Sequence, residues 1–321
     1  MGVVRVILIC AAAVAVSLAG QDASAYKTSS VDFNGHRTTA GPDVVSEQSK
    51  TGSQTTELTQ SINGRMVPLE RTDERVVRED ASGKVIERMI HRFDLTGNPL
   101  APQKVVIEER KEPNGSSTIQ TTKYSGDVNG RMQVMERAVT QKQVSGSTET
   151  ADTVVERPNI NGGLDTVEKQ TTVVVKQGKG YEEAASIYRR DPTGNFYQAV
   201  RRVTDHSESG NQATDNTAEY EVGAMGQLEL HGQTVRKTEK RSNGAEEVQV
   251  DMFSKNVPGV VNDTSALRLK EHQIIERRPA SGGAVVETLS VQRPTVSDPS
   301  RLGPPMQISE TVCRGKCDAR P

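Results

Sequence analysis

The chain has 321 residues, of which 33% are apolar and only ten are aromatic (six Tyr, four Phe, no Trp), and its formal net charge is -2. Ordinary soluble domains carry about 45–50% apolar residues with Gly counted, so this composition excludes a large globular core. The 42 acidic and 40 basic residues are intermixed along the chain, which excludes the concentrated basic surface of a nucleic-acid binder.

Residues 1–25 read as a secretory signal peptide. Arg5 gives the positive start, Val6 to Leu18 form an apolar run, and Ala23-Ser24-Ala25 supplies the small-residue pattern before a cut ahead of Tyr26. The run is shorter than the roughly 18 to 20 residues that cross a bilayer as a helix, which favours a cleaved leader over an anchor. No later stretch could span as a helix. Cys10 follows a bulky Ile9, the wrong neighbour for lipoprotein processing. The expected location is periplasmic or secreted.

Residues 26–56 are rich in Ser, Thr, Gly and Gln with almost no aliphatic pattern, and the composition predicts a disordered linker. From residue 57 the chain becomes periodic. Gly64, Gly97, Gly130, Gly162, Gly194, Gly226 and Gly259 recur every 32 or 33 residues. A second series, Gly83, Gly115, Gly146, Gly178, Gly210 and Gly244, falls between them. A glycine corner every 16 residues or so is the signature of a repeat.

The corners have a mechanism. Asp94-Leu95-Thr96-Gly97, Asp127-Val128-Asn129-Gly130, Asn159-Ile160-Asn161-Gly162 and Asp191-Pro192-Thr193-Gly194 share one pattern, and Ser61-Ile62-Asn63-Gly64 fits it too. A type I turn takes Asp, Asn or Ser first, because that side chain accepts from backbone two residues on, and Gly fourth, where φ turns positive. Asn114-Gly115 and Asn243-Gly244, in the second series, are strong hairpin signals. Between corners, Thr, Val, Gln, Glu, Arg and Lys dominate with short alternations such as Ile86, Arg88, Ile90, Arg92, the period of strands.

Residues 57–293 are therefore expected to form an all-β domain of tandem antiparallel hairpins with a period of about 32–33 residues. The connections are too short for parallel crossovers, so the hairpins make an up-and-down meander in a large curved or partly closed sheet. The alternatives are an open single layer, a β-propeller-like closure and, last, a transmembrane barrel, which needs aromatic girdles this chain lacks. Pro279 to Pro321, which takes in the Pro-rich tail 294–321, leaves room for strands at Val285 to Val291 and Met306 to Val312, and the tail could cap the last edge. Cys313 and Cys317 are expected to pair as a disulfide in an oxidising compartment; so short a loop constrains the unfolded chain by only about 2 kcal/mol.

No catalytic constellation emerges, and no enzyme activity, metal or cofactor is expected. His36, His91, His206, His231 and His272 are scattered, without the spacing of a metal motif. Asp94, Asp127 and Asp191 suggest calcium across stacked corners, but turn formation explains them. Tyr124, Tyr188, Tyr220 and Phe253 each sit six residues before a corner position, with Glu156 and His91 breaking the series. Such a column fills a core or presents rings to a sugar polymer or peptide.

Over the corner alone, Asp-x-x-Gly-Asn/Arg resembles the turn of the tyrosine-aspartate repeats in bacterial Rhs-type shell proteins, without the adjoining Tyr-Asp and at a different period. Membership is not implied. The reading that results is an exported, non-enzymatic β-repeat scaffold or surface-interaction protein. Its partners would be a cell-envelope component, a polysaccharide or a protein, and not nucleic acid. The alternative is a carbohydrate- or peptide-binding module that uses the aromatic column.

Overall fold

A computed structural model describes residues 21–31, 37–127, 130–223, 225–255, 266–295, 297–298 and 301–315. Eighteen strands follow one another. The first nine are β1 Gln21–Val31, β2 Arg37–Lys50, β3 Ser53–Ile62, β4 Arg65–Asp80, β5 Gly83–Arg92, β6 Gln103–Lys111, β7 Ser117–Gly126, β8 Met132–Ser145 and β9 Thr148–Pro158. The second nine are β10 Leu164–Gln177, β11 Gly180–Arg190, β12 Phe196–Ser209, β13 Gln212–Val222, β14 Leu228–Lys240, β15 Glu246–Ser254, β16 Arg268–Pro279, β17 Val285–Gln292 and β18 Met306–Gly315. A single 3-10 turn at Ser281–Gly283 is the only helical element among the described residues.

Every strand pairs antiparallel with its neighbours in sequence, which is the expected meander. β1 additionally bonds β18, with Tyr26 opposite Cys313 and Ser30 opposite Ser309. The pairing therefore runs round all eighteen strands, and β1 is the strand through which it returns to the start. This replaces the propeller alternative, because no set of four strands separates into a blade.

The turns explain the hairpins. At Asp94 the Oδ1 atom accepts from Thr96 N at 2.9 Å, Thr96 Oγ1 at 2.6 Å and Asn98 N at 2.9 Å, while Gly97 N donates to the Asp94 carbonyl at 2.9 Å. Asp191 repeats this with Thr193 and Asn195, and Asn159 with Asn161 and Gly163. Gly97, Gly162 and Gly194 all have positive φ, as a type I turn closed by a left-handed residue requires. The corner at Gly259 lies outside the described residues.

Two turns differ from the expectation. Asn63 and Gly64 both have positive φ, 50° and 79°, and form a two-residue connection between β3 and β4, so this corner is the mirror-image hairpin turn rather than the type I pattern. Conversely, Gly115 N donates to Glu112 O and Gly244 N to Arg241 O. These Asn-Gly pairs thus close longer type I turns. The short connections of the second series sit at Gly146, Gly178 and Gly210, between directly paired strand ends. Gly52, with φ 75°, begins that series and joins β2 to β3.

The N-terminal linker is corrected as well. Residues 26–31, 37–50 and 53–56 lie in β1, β2 and the start of β3, not in a disordered segment. Backbone ladders need no apolar side chain, and Ser and Thr add cross-strand hydroxyl contacts: Ser29 to Thr39 at 3.1 Å, Ser30 to Thr38 at 3.0 Å, Thr28 to Thr311 at 3.0 Å. Pairing of β1 begins at Gln21, inside the stretch read as leader; residues 1–20 lie outside the described residues. At the other end, β17 and β18 occupy the two segments read as strands, and β18 extends the sheet beyond residue 293.

The sheet is one layer. Substantial contact between strands is confined to sheet neighbours, and the accessible surface is 21328 Å² where a compact 34.8 kDa chain would expose about 13,000 Å². Among the described residues no large side chain is fully buried, and the buried apolar cluster they form joins Val45 and Cys313, with Leu58 packed against it. These three residues lie on β2, β18 and β3, beside the closing strand.

Curvature has a periodic source. Leu69, Met135, Val167, Ala199 and His231 are each skipped in the pairing of their hairpin, and each stands five residues beyond a corner glycine. Lys270 and Ile308 continue the series. A bulge adds one residue to one strand, bends it and increases the local twist. One bulge per hairpin coils the sheet in a constant sense.

Two measurements check the turns. Gly162→Ala should lower unfolding free energy by about 1 kcal/mol in urea denaturation, since an L side chain resists the left-handed region, and Gly162→Asn should recover most of the loss. The Asp94 carboxyl is held down to about 2 from 3.8, first by the Thr96 hydroxyl, then by Asn98. A depressed carboxyl stabilises above its unfolded value and loses that effect as pH falls, so carbon-detected NMR should show Asp94 titrating near pH 2, with the turn loosening there.

Candidate functional site

Side chains alternate across a strand, and following the register round the ring sorts them into two faces. Tyr124, Tyr188, Tyr220 and Phe253 all share the first face, toward the rim of Gly130, Gly194 and Gly226. All four are half-buried. The structure thus places them between the two outcomes the sequence left open, neither enclosed nor fully presented.

What makes the column regular is the bulge. Tyr124 is opposite Val134 while Lys123 is opposite Glu136, with Met135 between them. Tyr188, Tyr220 and Phe253 hold the same position against the bulges at Ala199, His231 and Lys270. An aromatic residue thus stands beside each interruption of the ladder. Tyr188, Tyr220 and Phe253 stand on every second strand, so neighbouring rings are about 10 Å apart at ordinary strand spacing. Lys169 lies opposite Tyr188, and its Nζ sits 4.6 Å from the centre of the Phe196 ring, a cation–π contact on the same face. Leu228 and Leu230 lie opposite Val222 and Tyr220, and together these residues form an apolar strip with one cation.

Both faces carry charge in mid-strand. On the first face Lys104 reaches Glu87 at 2.6 Å and Arg137 reaches Glu156 at 2.6 Å; Arg75 also binds Glu87. On the second, Arg88 meets Glu74 at 2.6 Å, Arg202 meets Glu219 at 2.6 Å and Arg277 meets Glu287 at 3.0 Å. The Lys104 and Arg75 contacts hold the Glu87 carboxyl below its ordinary range. Burial works to raise Glu136, but Lys123 and Arg157 outweigh it and keep it low. Charges facing lipid in a membrane barrel cost roughly 2–4 kcal/mol each near the midplane, so neither face is built to lie against hydrocarbon. No helix among the described residues is long and apolar enough to cross a membrane.

A second cluster escaped the sequence reading. On the second face, toward the opposite rim, His206 stacks on Tyr181 with ring centres 4.7 Å apart. Its Nδ1 pairs with Asp215 at 2.6 Å and its Nε2 with Glu208 at 3.3 Å. A groove of about 330 Å³ lies beside them, lined also by Lys179 and Asp205. His206 looked isolated in the sequence, yet counting outward equally from the Gly210-Asn211 turn brings it opposite Asp215. His272 is paired likewise with Asp251 at 2.6 Å on the first face, and His231 lies near Glu221 at 3.7 Å. His206, His231 and His272 therefore remain dispersed, each beside its own carboxylate; His36 lies outside the described residues.

The corner acids are engaged as turn acceptors, Asp94 and Asp191 by hydroxyl and backbone donors and Asp127 by Arg131 N at 2.8 Å. Cys313 is buried on β18; Cys317 lies outside the described residues.

No protein-family model matches the chain, and no curated protein matches it. Among solved structures it is similar to a point mutant of the vaccine antigen transferrin binding protein B from Haemophilus parasuis, with 6% identity over 94% of this chain and 76% of that one, at a TM-score of 0.16. It is also similar to intact Ap-TbpB with its N and C lobes, at 5% identity, 94% and 77% coverage and a TM-score of 0.17. At those TM-scores the likeness carries no argument.

The hydrogen bond that the His206 ring donates to the Asp215 carboxylate raises the imidazole above 6.5, partial burial opposes this, and Glu208 adds to it. A raised imidazole stabilises fully below its unfolded value near 6.5, and the contribution disappears as pH climbs through the folded value. Melting temperature should therefore decline from pH 6 to 8 by an amount corresponding to about 0.5 kcal/mol for this half-buried surface pair. Asp215→Asn should flatten that decline and move the His206 NMR titration midpoint down.

Proposed function

We propose that the chain is an exported, non-enzymatic β-hairpin-repeat protein that works as a scaffold or surface-interaction module in a periplasmic or extracellular setting. The leader-like residues 1–25, with a cut after Ala25, support export, and Cys313 and Cys317 are proposed to pair in the same oxidising compartment. The observation that carries the reading is the single-layer sheet with charged, water-exposed rows on both faces, repeated hairpin after hairpin. A surface of recurring Arg–Glu and Lys–Glu pairs suits multivalent contact, where weak identical contacts add through effective concentration. Its partners would be cell-envelope material, polysaccharide or protein. After leader removal, no transmembrane segment is proposed.

A second reading has its own observation. Tyr124, Tyr188, Tyr220 and Phe253 lie on one face, along the bulge line, with Lys169 and Phe196 beside them. This row would bind a sugar polymer or an extended peptide by stacking.

The absence of Trp leaves tyrosine emission unobscured, and this separates the readings. If the row binds glycans or peptides, titration with a polysaccharide panel should change tyrosine fluorescence, and Tyr188→Ala or Tyr220→Ala should weaken binding about fivefold to tenfold. If the charged faces act instead, these substitutions should leave binding to envelope fractions unchanged while 0.5 M salt reduces it sharply.

A further inference from the structure

The closing strand overlaps the leader. Gln21, Asp22, Ala23, Ser24 and Ala25 pair with Gln48, Glu47, Ser46, Val45 and Val44 of β2, and Ser24 and Ala25 pair with Gly315 and Arg314 of β18. A cut after Ala25 removes all of these pairs. The rest of β1 stays tied on both sides, from Tyr26 opposite Cys313 and Asp43 to Ser30 opposite Ser309 and Thr38. On its far side, β2 keeps β3, with Val44 opposite Thr59 and Gln48 opposite Thr55. The ring would thus persist with a notch one strand wide, five residues deep, open at the rim of Gly52.

We propose that this notch is a docking site for an extended segment of a partner protein, taken up by strand addition between Val44–Gln48 of β2 and Arg314–Gly315 of β18. The inference rests on the exported reading, since only leader cleavage creates the notch. Exposed strand edges bind extended peptides through main-chain hydrogen bonds, with alternate side chains setting specificity. Val45 and Cys313, both buried, and Leu58 border the gap, which gives it an apolar side. The sequence that fits the gap in the uncut chain, Gln-Asp-Ala-Ser-Ala, has small residues at its three innermost places, so the partner segment carries Ala, Ser or Gly there. A second copy cannot supply it, because every described strand of the ring already has two neighbours and two recessed edges cannot reach each other.

The test uses the chain beginning at Tyr26 and a capped peptide, Gln-Asp-Ala-Ser-Ala, at millimolar concentration. Mass spectrometry of the exported protein comes first: a start other than Tyr26 removes the premise and refutes the export reading as drawn. With that start established, the peptide should slow hydrogen exchange at alternate amides of Val44 to Gln48 at least tenfold. A peptide with Pro in place of its Ser, lacking that donor, should not. No slowing by the first peptide, or equal slowing by both, overturns the proposal. Slow exchange there without peptide at every protein concentration means the chain covers its own edge, and slowing that grows with protein concentration alone assigns the notch to a second copy; either result also overturns it.

Discussion

Backbone hydrogen bonding is what this structure depends on. In a layered domain, side chains buried between layers supply the main stabilisation. Here six apolar residues among those described are buried and the strands touch little beyond their sheet neighbours. Each interior strand instead satisfies its amides and carbonyls on both sides, and a ladder left open would expose a row of them. Return of the pairing through β1 to β18 removes that open edge without a core. Each backbone hydrogen bond contributes only about 1 kcal/mol net, so stability must come from repetition along many long strands.

The same condition explains the composition. A sheet wet on both faces gains nothing from large aliphatic residues and needs side chains that favour extended backbone while staying soluble. Thr and Val do the first, and Arg, Lys and Glu do the second while pairing across strands, as Arg202 with Glu219 and Arg88 with Glu74. Each such exposed pair contributes about 0–1 kcal/mol, but like charges in those places would oppose the register. The pairs therefore specify which residues face each other more than they hold the sheet.

The turns were legible in the sequence because they depend on residues adjacent in it. Asp94, Thr96, Gly97 and Asn98 contain the whole hydrogen-bonded unit. The bulges were not legible, since an extra residue such as Ala199 or Met135 has no compositional mark and is defined only against the opposite strand. Without them the column of Tyr124, Tyr188, Tyr220 and Phe253 appeared as periodicity with no cause. The stretch 26–56 misled for a related reason: low hydrophobicity argues for disorder only where order requires a core, and its residues in β1, β2 and β3 order against neighbouring strands. The His206 and Asp215 pair was hidden likewise until the hairpin was folded about its turn.

The first and last described strands meet where the cost of order is greatest. Most hairpins close a short loop, and their contacts are local, which keeps the entropy of formation small and folding fast. The β1 to β18 pairing joins positions almost the whole chain apart, so it forms only after the intervening hairpins have already brought its partners near. It is also the contact that a single strand, β1, must make on both sides. That the buried cluster of Val45, Cys313 and Leu58 gathers beside this strand, rather than among the regular repeats, follows from that asymmetry. The repeats are held by neighbours formed in turn, whereas the seam has no local turn to set its register and depends on side-chain burial to do so.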